Sequence, residues 1–183
     1  MIIIAILFIV LYGLVFLSAS LMAITKPSRV KIKKLHPDAI IPKYAHSTDA
    51  GMDLYAIEDY DLIPGIPVLV KTGIAIELPN GTEAQVRPRS GLALNEVITV
   101  LNTPGTIDQD YRGEIGVIMI SLDNRKIITT EIPVPHYKAY HISKGDKIAQ
   151  LVINKLPKVI IKETKSLSDT ARGENGFGST GKK

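Results

Sequence analysis

Short apolar or alternating runs, separated by Pro, Gly, Asn and Asp, make up the chain from Val30 onward. They predict strands over residues 30–35, 53–57, 68–71, 74–78, 83–87, 97–101, 115–122, 127–134, 147–153 and 158–163. No helical period is sustained in this part of the chain, and only residues 90–96 predict one short helical turn. Short strands that recur about every eight to twelve residues, with turn residues between them, favour an all-β barrel or sandwich.

The beginning of the chain has a different pattern. Residues 1–25 contain no charged side chain and consist mostly of Ile, Leu, Val, Ala and Phe. An apolar run of this length meets the requirement of roughly 20 residues for a transmembrane helix. Because a basic flank that starts at Lys26 follows, the positive-inside rule predicts an anchor with its C-terminal side in the cytoplasm. The alternatives are a cleaved signal peptide, for which the basic n-region is missing, and a translation start near Val30.

Length and composition complete the domain organisation. We expect an apolar segment over residues 1–25, one β domain over residues 30–165 and a flexible C-terminal arm over residues 166–183, since the arm is rich in Gly, Ser, Thr and Asn. Cysteine is absent, which excludes disulfides and thiolate chemistry. The net charge of +4 is mild and suits an anionic small molecule. No basic run is interleaved with aromatic residues, so nucleic-acid binding is not favoured.

A predicted hairpin carries the most concentrated group of polar residues. Its strands, residues 97–101 and 115–122, flank the turn sequence Asn-Thr-Pro-Gly at residues 102–105. The tip contains Asp108, between Ile107 and Gln109, where one side of a strand would be buried and the other would face a pocket. Taken alone, this stretch favours an ordinary hairpin with a polar tip over a functional site.

Four further stretches add chemistry to the hairpin. Residues 49–54 place two carboxylates around a glycine, and carboxylate oxygens are ligands that Mg²⁺ prefers. Residues 87–93, Arg-Pro-Arg-Ser-Gly-Leu-Ala, combine backbone N–H groups, a hydroxyl and guanidinium groups that would hold phosphate oxygens. Residues 145–151 carry Gln150 within an apolar run, and residues 172–181 combine an arginine, an aromatic ring and many glycines. Each stretch alone can be explained without a function, as a turn, a strand end or a disordered tail. Together they indicate nucleoside triphosphate chemistry.

These five stretches, in this order, resemble the five motifs of the trimeric dUTP pyrophosphatases (dUTPases), over about residues 31–181. The resemblance implies a distorted β jelly roll of the β-clip type that assembles into a homotrimer with shared active sites. It also implies Mg²⁺-dependent hydrolysis of dUTP to dUMP and diphosphate. That reaction would supply dUMP for dTMP synthesis and keep uracil out of DNA.

The resemblance also implies roles for individual residues of the predicted hairpin. Asp108 would be the general base that deprotonates the water attacking the α-phosphorus. The ring of Tyr111 would pack under the deoxyribose and leave no room for a 2′-hydroxyl. Asn102 would read the uracil edge together with backbone groups of the hairpin, at Gly105, Thr106, Ile107 and Gly116.

The remaining implied roles concern the phosphates and the metal. The phosphate contacts would come from Arg89, Ser90 and Gly91, with Gln150 near the α-phosphate. Asp53 would support the Mg²⁺ site indirectly, through water. The C-terminal arm would close over the nucleotide with the following residues: Arg172 on the γ-phosphate, Phe177 stacked on uracil beside Gly178, and Ser179 and Thr180 as phosphate donors.

Two departures from the family pattern and two rival functions stay open at this point. Residues 123–144 are longer and more polar than the expected hairpin and predict a surface excursion, and Asn175 stands where small residues are common. The first rival is a dCTP deaminase on the same fold, which would release ammonia. The second is a non-catalytic nucleotide-binding module, which would bind a dUTP analogue without releasing diphosphate.

Overall fold

The structure, a computed structural model, describes residues 28–124, 126–127 and 136–176. Within these residues the chain forms short strands and one helix. The elements are β1 (Lys31–Lys34), β2 (Met52–Tyr55), β3 (Tyr60–Leu62), β4 (Val68–Lys71), β5 (Ile74–Glu77), β6 (Thr82–Arg87), α1 (Ser90–Glu96), β7 (Ile98–Val100), β8 (Gly105–Ile107), β9 (Gly116–Ser121), β10 (Lys126–Ile127), β11 (His136–Tyr137), β12 (Tyr140–Ile142) and β13 (Lys147–Lys155). The prediction of an all-β domain is confirmed.

The strands pair in small antiparallel sheets. The largest sheet has the order β2-β13-β6-β8, and a three-stranded sheet has the order β4-β9-β7. Three further pairs join β1 to β5, β3 to β12 and β10 to β11. Apart from β10 and β11, the paired strands are well separated in sequence, so the sheets bring together stretches that no local pattern connects.

The core follows from the alternation of side chains along the strands. In β6, for example, Thr82, Ala84 and Val86 are buried while the residues between them are not. The largest fully buried side chains come from both main sheets and the connections: Leu54, Leu62, Ile74, Ile98, Ile115, Met119, Ile142, Ile148 and Leu151. Burying each such side chain stabilises the fold by about 1.5–3 kcal/mol.

The predicted hairpin is present as a strand pair but is not a tight hairpin. β7 pairs with β9, and Val100 lies opposite Met119. Between them the chain leaves the sheet, because residues 105–107 form β8 and pair with β6 in the larger sheet. The predicted polar tip is therefore a long connection that joins the two main sheets.

One predicted strand is wrong, and four strands were not predicted. Residues 158–163 form no strand, because none of the described strands pairs with them, and Ile160 and Ile161 are 94% and 95% exposed. The strands β3, β8 and β12 have only three residues each and β11 has two, too few to show an alternating pattern. The short helical turn over residues 90–96 is confirmed as α1.

Several predictions lie outside the described residues. They are the apolar segment 1–25, most of the predicted strand 127–134, and the arm residues Phe177, Gly178, Ser179 and Thr180. Across residues 28–124, 126–127 and 136–176, no helix has the length and apolar character that a membrane crossing requires.

Candidate active site

The four-stranded sheet brings four of the five motif stretches side by side. Gln150 of β13 lies opposite Asp53 of β2 on one side and opposite Arg87 of β6 on the other. On the far side of β6, Val86 lies opposite Gly105 of β8, which leads directly to Asp108. The arrangement follows from the order β2-β13-β6-β8 and could not be read from any single stretch.

Asp53 is a buried carboxylate between two cations. It is 7% exposed, its Oδ2 lies 2.7 Å from Lys147 Nζ, and its Oδ1 lies 3.4 Å from Arg89 Nε. Arg89 Nη1 also donates to the Lys147 carbonyl oxygen over 3.1 Å. The hydrogen bond and charge of Asp53 raise the pKa of Lys147 above its usual value. These contacts orient the Arg89 side chain immediately before α1. The sequence did not predict that Lys147 would pair with Asp53.

The neighbouring carboxylate of the same motif has a different environment. Asp49 Oδ2 accepts a hydrogen bond from the His46 backbone N–H over 2.8 Å. This bond lowers the pKa of Asp49. The Asp49 side chain therefore stabilises the turn over residues 46–49, which agrees with the alternative that this stretch is a structural turn.

Ser90 and Gly91 begin the short helix α1. The residue before them, Arg89, occupies the N-cap position with extended backbone, and no side chain caps the helix. The helix buries none of its residues. Ser90 is therefore exposed, and its hydroxyl does not serve as a cap.

Five of the predicted hairpin residues line one cavity of about 340 Å³. They are Thr106, Ile107, Asp108, Tyr111 and Gly116. The rest of the lining comes from β4, from β9 and from the connection between β8 and β9: Leu69, Lys71, Glu114 and Ile118. The volume lies within the range of about 300–1,000 Å³ typical of small-molecule sites.

The loop that carries Asp108 is held by its own hydrogen bonds. The Tyr111 backbone N–H donates to the Asp108 carbonyl oxygen over 3.1 Å, and the Tyr111 hydroxyl donates to the Glu114 carbonyl oxygen over 2.9 Å. Arg112 Nη1 donates to the carbonyl oxygens of Gln109 and Tyr111 over 2.7 and 2.9 Å. Gln109 Oε1 accepts from the Gly81 N–H over 2.8 Å, which ties the loop to the turn between β5 and β6.

Asn102 lies beside Gly105 rather than in the lining of this cavity. A Cβ built on Gly105 would lie 3.2 Å from Asn102 Nδ2 and 3.6 Å from its Oδ1. The Asn102 amide therefore packs against the backbone at the start of β8, where the chain enters the cavity wall.

The predicted phosphate-binding residues form a second group. Arg89 lines a separate cavity of about 180 Å³, together with Asp146 and Lys147. Arg89, Ser90 and Gln150 are not in the lining of the Asp108 cavity. The Arg172 side chain bonds within its own turn, where its Nε donates to the Asn175 carbonyl oxygen over 2.9 Å. The predicted site residues of one chain are thus divided between separate surfaces.

Three residues of the site were missed by sequence reasoning. Lys71 and Glu114 line the Asp108 cavity, and Gly113 lies under the Tyr111 ring, where a Cβ would come within 2.6 Å of Tyr111 Cζ. Glu114 and Gly113 stand within the motif sequence Tyr-Arg-Gly-Glu, but their contacts are set by the fold. Lys71 belongs to a strand with no motif, so the sequence holds no signal for it.

Comparison with known proteins identifies the family. A family model described as dUTPase matches residues 37–181. The deoxyuridine 5′-triphosphate nucleotidohydrolase of Gloeothece citriformis is 54% identical over 154 residues, which cover 84% of this chain and 97% of that protein. The enzyme of the same name from Clostridium tetani is 54% identical over 153 residues, which cover 84% of this chain and 97% of that protein.

Solved structures agree with the sequence comparison. The dUTPase of Staphylococcus bacteriophage 80alpha with dUPNHPP has a TM-score of 0.72 and 31% identity, and the match covers 84% of this chain and 98% of that one. A variant of the dUTPase from phage phi11 of S. aureus has a TM-score of 0.65 and 25% identity, covering 75% of this chain and 97% of that one. The resemblance inferred from the motifs is confirmed: the chain belongs to the dUTPase family of enzymes.

Proposed function

We propose that the protein hydrolyses dUTP to dUMP and diphosphate, as a subunit with a distorted jelly-roll (β-clip) fold. The observation that carries this proposal is the sheet order β2-β13-β6-β8, because it assembles four separate motif stretches that have no other reason to be adjacent. The cavity beside Asp108 and Tyr111 adds a concave site of suitable size. The curated relatives reported above carry the name of this activity. In a cell, the reaction would supply dUMP for dTMP synthesis and keep uracil out of DNA.

Asp108 is the proposed general base. A carboxylate is ionised at neutral pH, so it can orient a water molecule and accept its proton as the water oxygen attacks the α-phosphorus. The new bond joins this oxygen to the α-phosphorus, and the bond from the α-phosphorus to the bridging oxygen of the diphosphate breaks. Asp108 is exposed on the cavity wall, where it can reach such a water.

The nucleoside would occupy the cavity beside Asp108. Tyr111 would lie under the deoxyribose and exclude a 2′-hydroxyl, since its ring is already folded back on Gly113 in the cavity wall. Asn102 would read the uracil edge with backbone groups of Gly105, Thr106, Ile107 and Gly116. The packing of the Asn102 amide against Gly105 supports this assignment.

The triphosphate would be held by the second group of residues and by the arm. Arg89, Ser90 and Gly91 would contact phosphate oxygens, with Gln150 beside the α-phosphate. The orientation of Arg89 by Asp53 supports this role, because it fixes a guanidinium group next to the exposed start of α1. The arm residues would complete the enclosure, with the assignments as follows: Arg172 to the γ-phosphate, Phe177 and Gly178 over uracil, and Ser179 and Thr180 to phosphate oxygens.

Mg²⁺ would act in this site mainly through the substrate phosphates. No group of three or more His, Asp or Glu side chains that could hold a metal occurs in residues 28–124, 126–127 and 136–176. Asp53 Oδ1 is buried and lies 3.4 Å from Arg89 Nε, but it makes no hydrogen bond to the described residues. It could therefore accept a hydrogen bond from a water molecule bound to the metal. A bound Mg²⁺ would neutralise charge on the phosphates. The phi11 dUTPase variant reveals the coordination of a structural Mg(II) ion, which supports a metal in this family.

A homotrimer with shared sites is the assembly we propose. The division of the predicted site residues between two cavities of one chain supports it, because a second copy could bring the two groups together. The exposed apolar residues Ile160 and Ile161 also support association, since such a patch is buried in stable complexes.

The decisive experiment removes the charge of the proposed base. We expect Asp108→Asn to keep dUTP binding and to lower the rate of diphosphate release by about 10²–10⁴-fold, the usual contribution of a general base. The control is Asp61→Asn, which is the same chemical change at an exposed residue that does not line the cavity.

Two outcomes would contradict the proposal. Hydrolysis of dUTP by Asp108→Asn at the parent rate would exclude Asp108 as the base. Release of ammonia from dCTP, with no diphosphate from dUTP, would replace the proposed activity with deamination.

A further inference from the structure

The orientation of the Tyr111 ring depends on one hydrogen bond. Tyr111 is 45% exposed, so packing alone does not hold its side chain. The ring folds back over Gly113, and its hydroxyl donates to the Glu114 carbonyl oxygen over 2.9 Å. The position of the Glu114 carbonyl group therefore sets the position of the ring in the cavity.

The Glu114–Ile115 peptide group is tied to the core from the opposite side. In a trans peptide the C=O and N–H groups point in opposite directions. The C=O group accepts from Tyr111, and the N–H group of Ile115 donates to the Ile74 carbonyl oxygen over 2.9 Å. One planar unit thus connects the exposed ring to the fully buried Ile74 of β5.

The side chain of Glu114 provides a second tie to the same strand end. Its Oε1 accepts from the Gly73 N–H over 2.8 Å. Gly73 is buried, and a buried N–H group that lacks a partner costs about as much as a lost hydrogen bond. Only glycine fits at this position, because its φ is +70° and a Cβ would lie 3.0 Å from Ala39 Cβ. The carboxylate is therefore held by a donor on closely packed, buried backbone.

We propose that Glu114 is a positioning residue, which fixes the Tyr111 ring and thereby the preference of the site for deoxyribose over ribose. The inference rests on the proposed hydrolysis of dUTP, in which the ring excludes a 2′-hydroxyl. Loss of the carboxylate removes one of the two ties to β5 and leaves only the Ile115 N–H bond, so the peptide group can shift and the ring moves with it. The consequence is weaker discrimination against UTP, rather than a general loss of turnover.

The test compares kcat/KM for dUTP and UTP in matched variants. We expect Glu114→Ala to lower the dUTP-to-UTP ratio about threefold to tenfold, the usual worth of one hydrogen bond. Glu114→Gln keeps an oxygen acceptor for Gly73 and should restore most of the ratio. Glu58→Ala, which removes a carboxylate bonded only to the nearby Tyr60 hydroxyl among the described contacts, is the control and should leave the ratio unchanged.

A double-mutant cycle separates positioning from general destabilisation. Tyr111→Phe removes the hydrogen bond from the ring to the Glu114 carbonyl oxygen, through which the position of the peptide group reaches the ring. Glu114→Ala added to Tyr111→Phe should therefore lower the ratio no further. Additive losses, or an unchanged ratio in Glu114→Ala, would overturn the proposal. If Glu114→Ala does not fold, Glu114→Met keeps the side-chain bulk without an acceptor and replaces it in the cycle.

A second measurement is independent of turnover. In protein with ¹³C-labelled tyrosine rings, the Tyr111 resonance is assigned by its loss in Tyr111→Phe. It should shift in Glu114→Ala and not in Glu58→Ala, and a Tyr111 resonance unaffected by Glu114→Ala would refute the positioning role. If the parent protein releases no diphosphate from dUTP, the proposed function fails, and this resonance alone decides the role of Glu114.

Discussion

The Thr72 hydroxyl offers a sharp test of how the loop that carries Asp108 is attached to the core. Thr72 joins β4 to β5, is 2% exposed, and donates through Oγ1 to the Ile115 carbonyl oxygen over 2.6 Å. Thr72→Val replaces the hydroxyl with a methyl group of similar shape. Both residues are β-branched, so the backbone preference barely changes.

The expected loss of stability follows from burial. Ile115 is also fully buried, so its carbonyl oxygen has no access to water when the donor is removed. Leaving such an acceptor without this partner costs about 1–3 kcal/mol, and the added methyl group offsets at most about 0.8 kcal/mol. A net loss of about 1–2 kcal/mol should lower the Tm by roughly 2–8 °C for a domain of this size.

The assay is thermal unfolding followed by circular dichroism. Parent and variants are compared at one protein concentration, because the apparent stability of an assembly depends on it. Thr72→Ser, which keeps the hydroxyl and loses the methyl group, is the control. If Thr72→Val unfolds at the parent temperature, or if Thr72→Ser loses as much stability as Thr72→Val, the hydroxyl does not stabilise the loop.

Three further predictions concern the ends of the chain and one strand pair. Removal of residues 172–183 should leave a folded, assembled protein, measured by chromatography, that no longer releases diphosphate from dUTP. If the shortened chain is active, the arm has no role in hydrolysis and is a disordered tail. A chain that begins near Val30 should hydrolyse dUTP at the rate of the full chain, because the proposed site uses no earlier residue; inactivity would mean that the segment belongs to the fold. His141 lies opposite Asp61, whose carboxylate is 2.8 Å from its Nδ1 and raises the pKa of His141 above 6.5. The pair therefore stabilises the fold below the ordinary histidine pKa and ceases to do so as pH rises through the raised value, and Asp61→Asn should lower the pKa of His141 in an NMR titration.

Strands were predictable from the sequence where apolar and polar residues alternate and the apolar residues face the core. β6 shows this well, since Thr82, Ala84 and Val86 face the core in turn. Residues 158–163 contain a short apolar run instead of an alternation, and the strand predicted from it is absent, since Ile160 and Ile161 face outward in the single chain. An apolar run indicates that a segment can form a strand, but it does not supply the partner strand.

The sequence predicts candidate site residues but not the contacts between them. Asp108, Tyr111 and Arg89 could be proposed because each lies in a motif that is contiguous in sequence. The ion pair of Asp53 with Lys147, and the bond from Glu114 to Gly73, join residues far apart in the chain. Such contacts depend on strand order and register, which local patterns do not determine.

The geometry of the single chain also explains why an assembly and an arm suit this chemistry. A hydrolase of this kind must exclude bulk water around the phosphates so that charged groups act strongly on the substrate. In one chain, Asp108 and Ser90 are both exposed, and they line no common cavity. The loop that carries Asp108 is attached to the core through Ile115, whose N–H donates to the Ile74 carbonyl oxygen of β5. In the assembly we propose, a second copy and the C-terminal arm would cover the substrate without altering the core, since both would act on surfaces that the single chain leaves open.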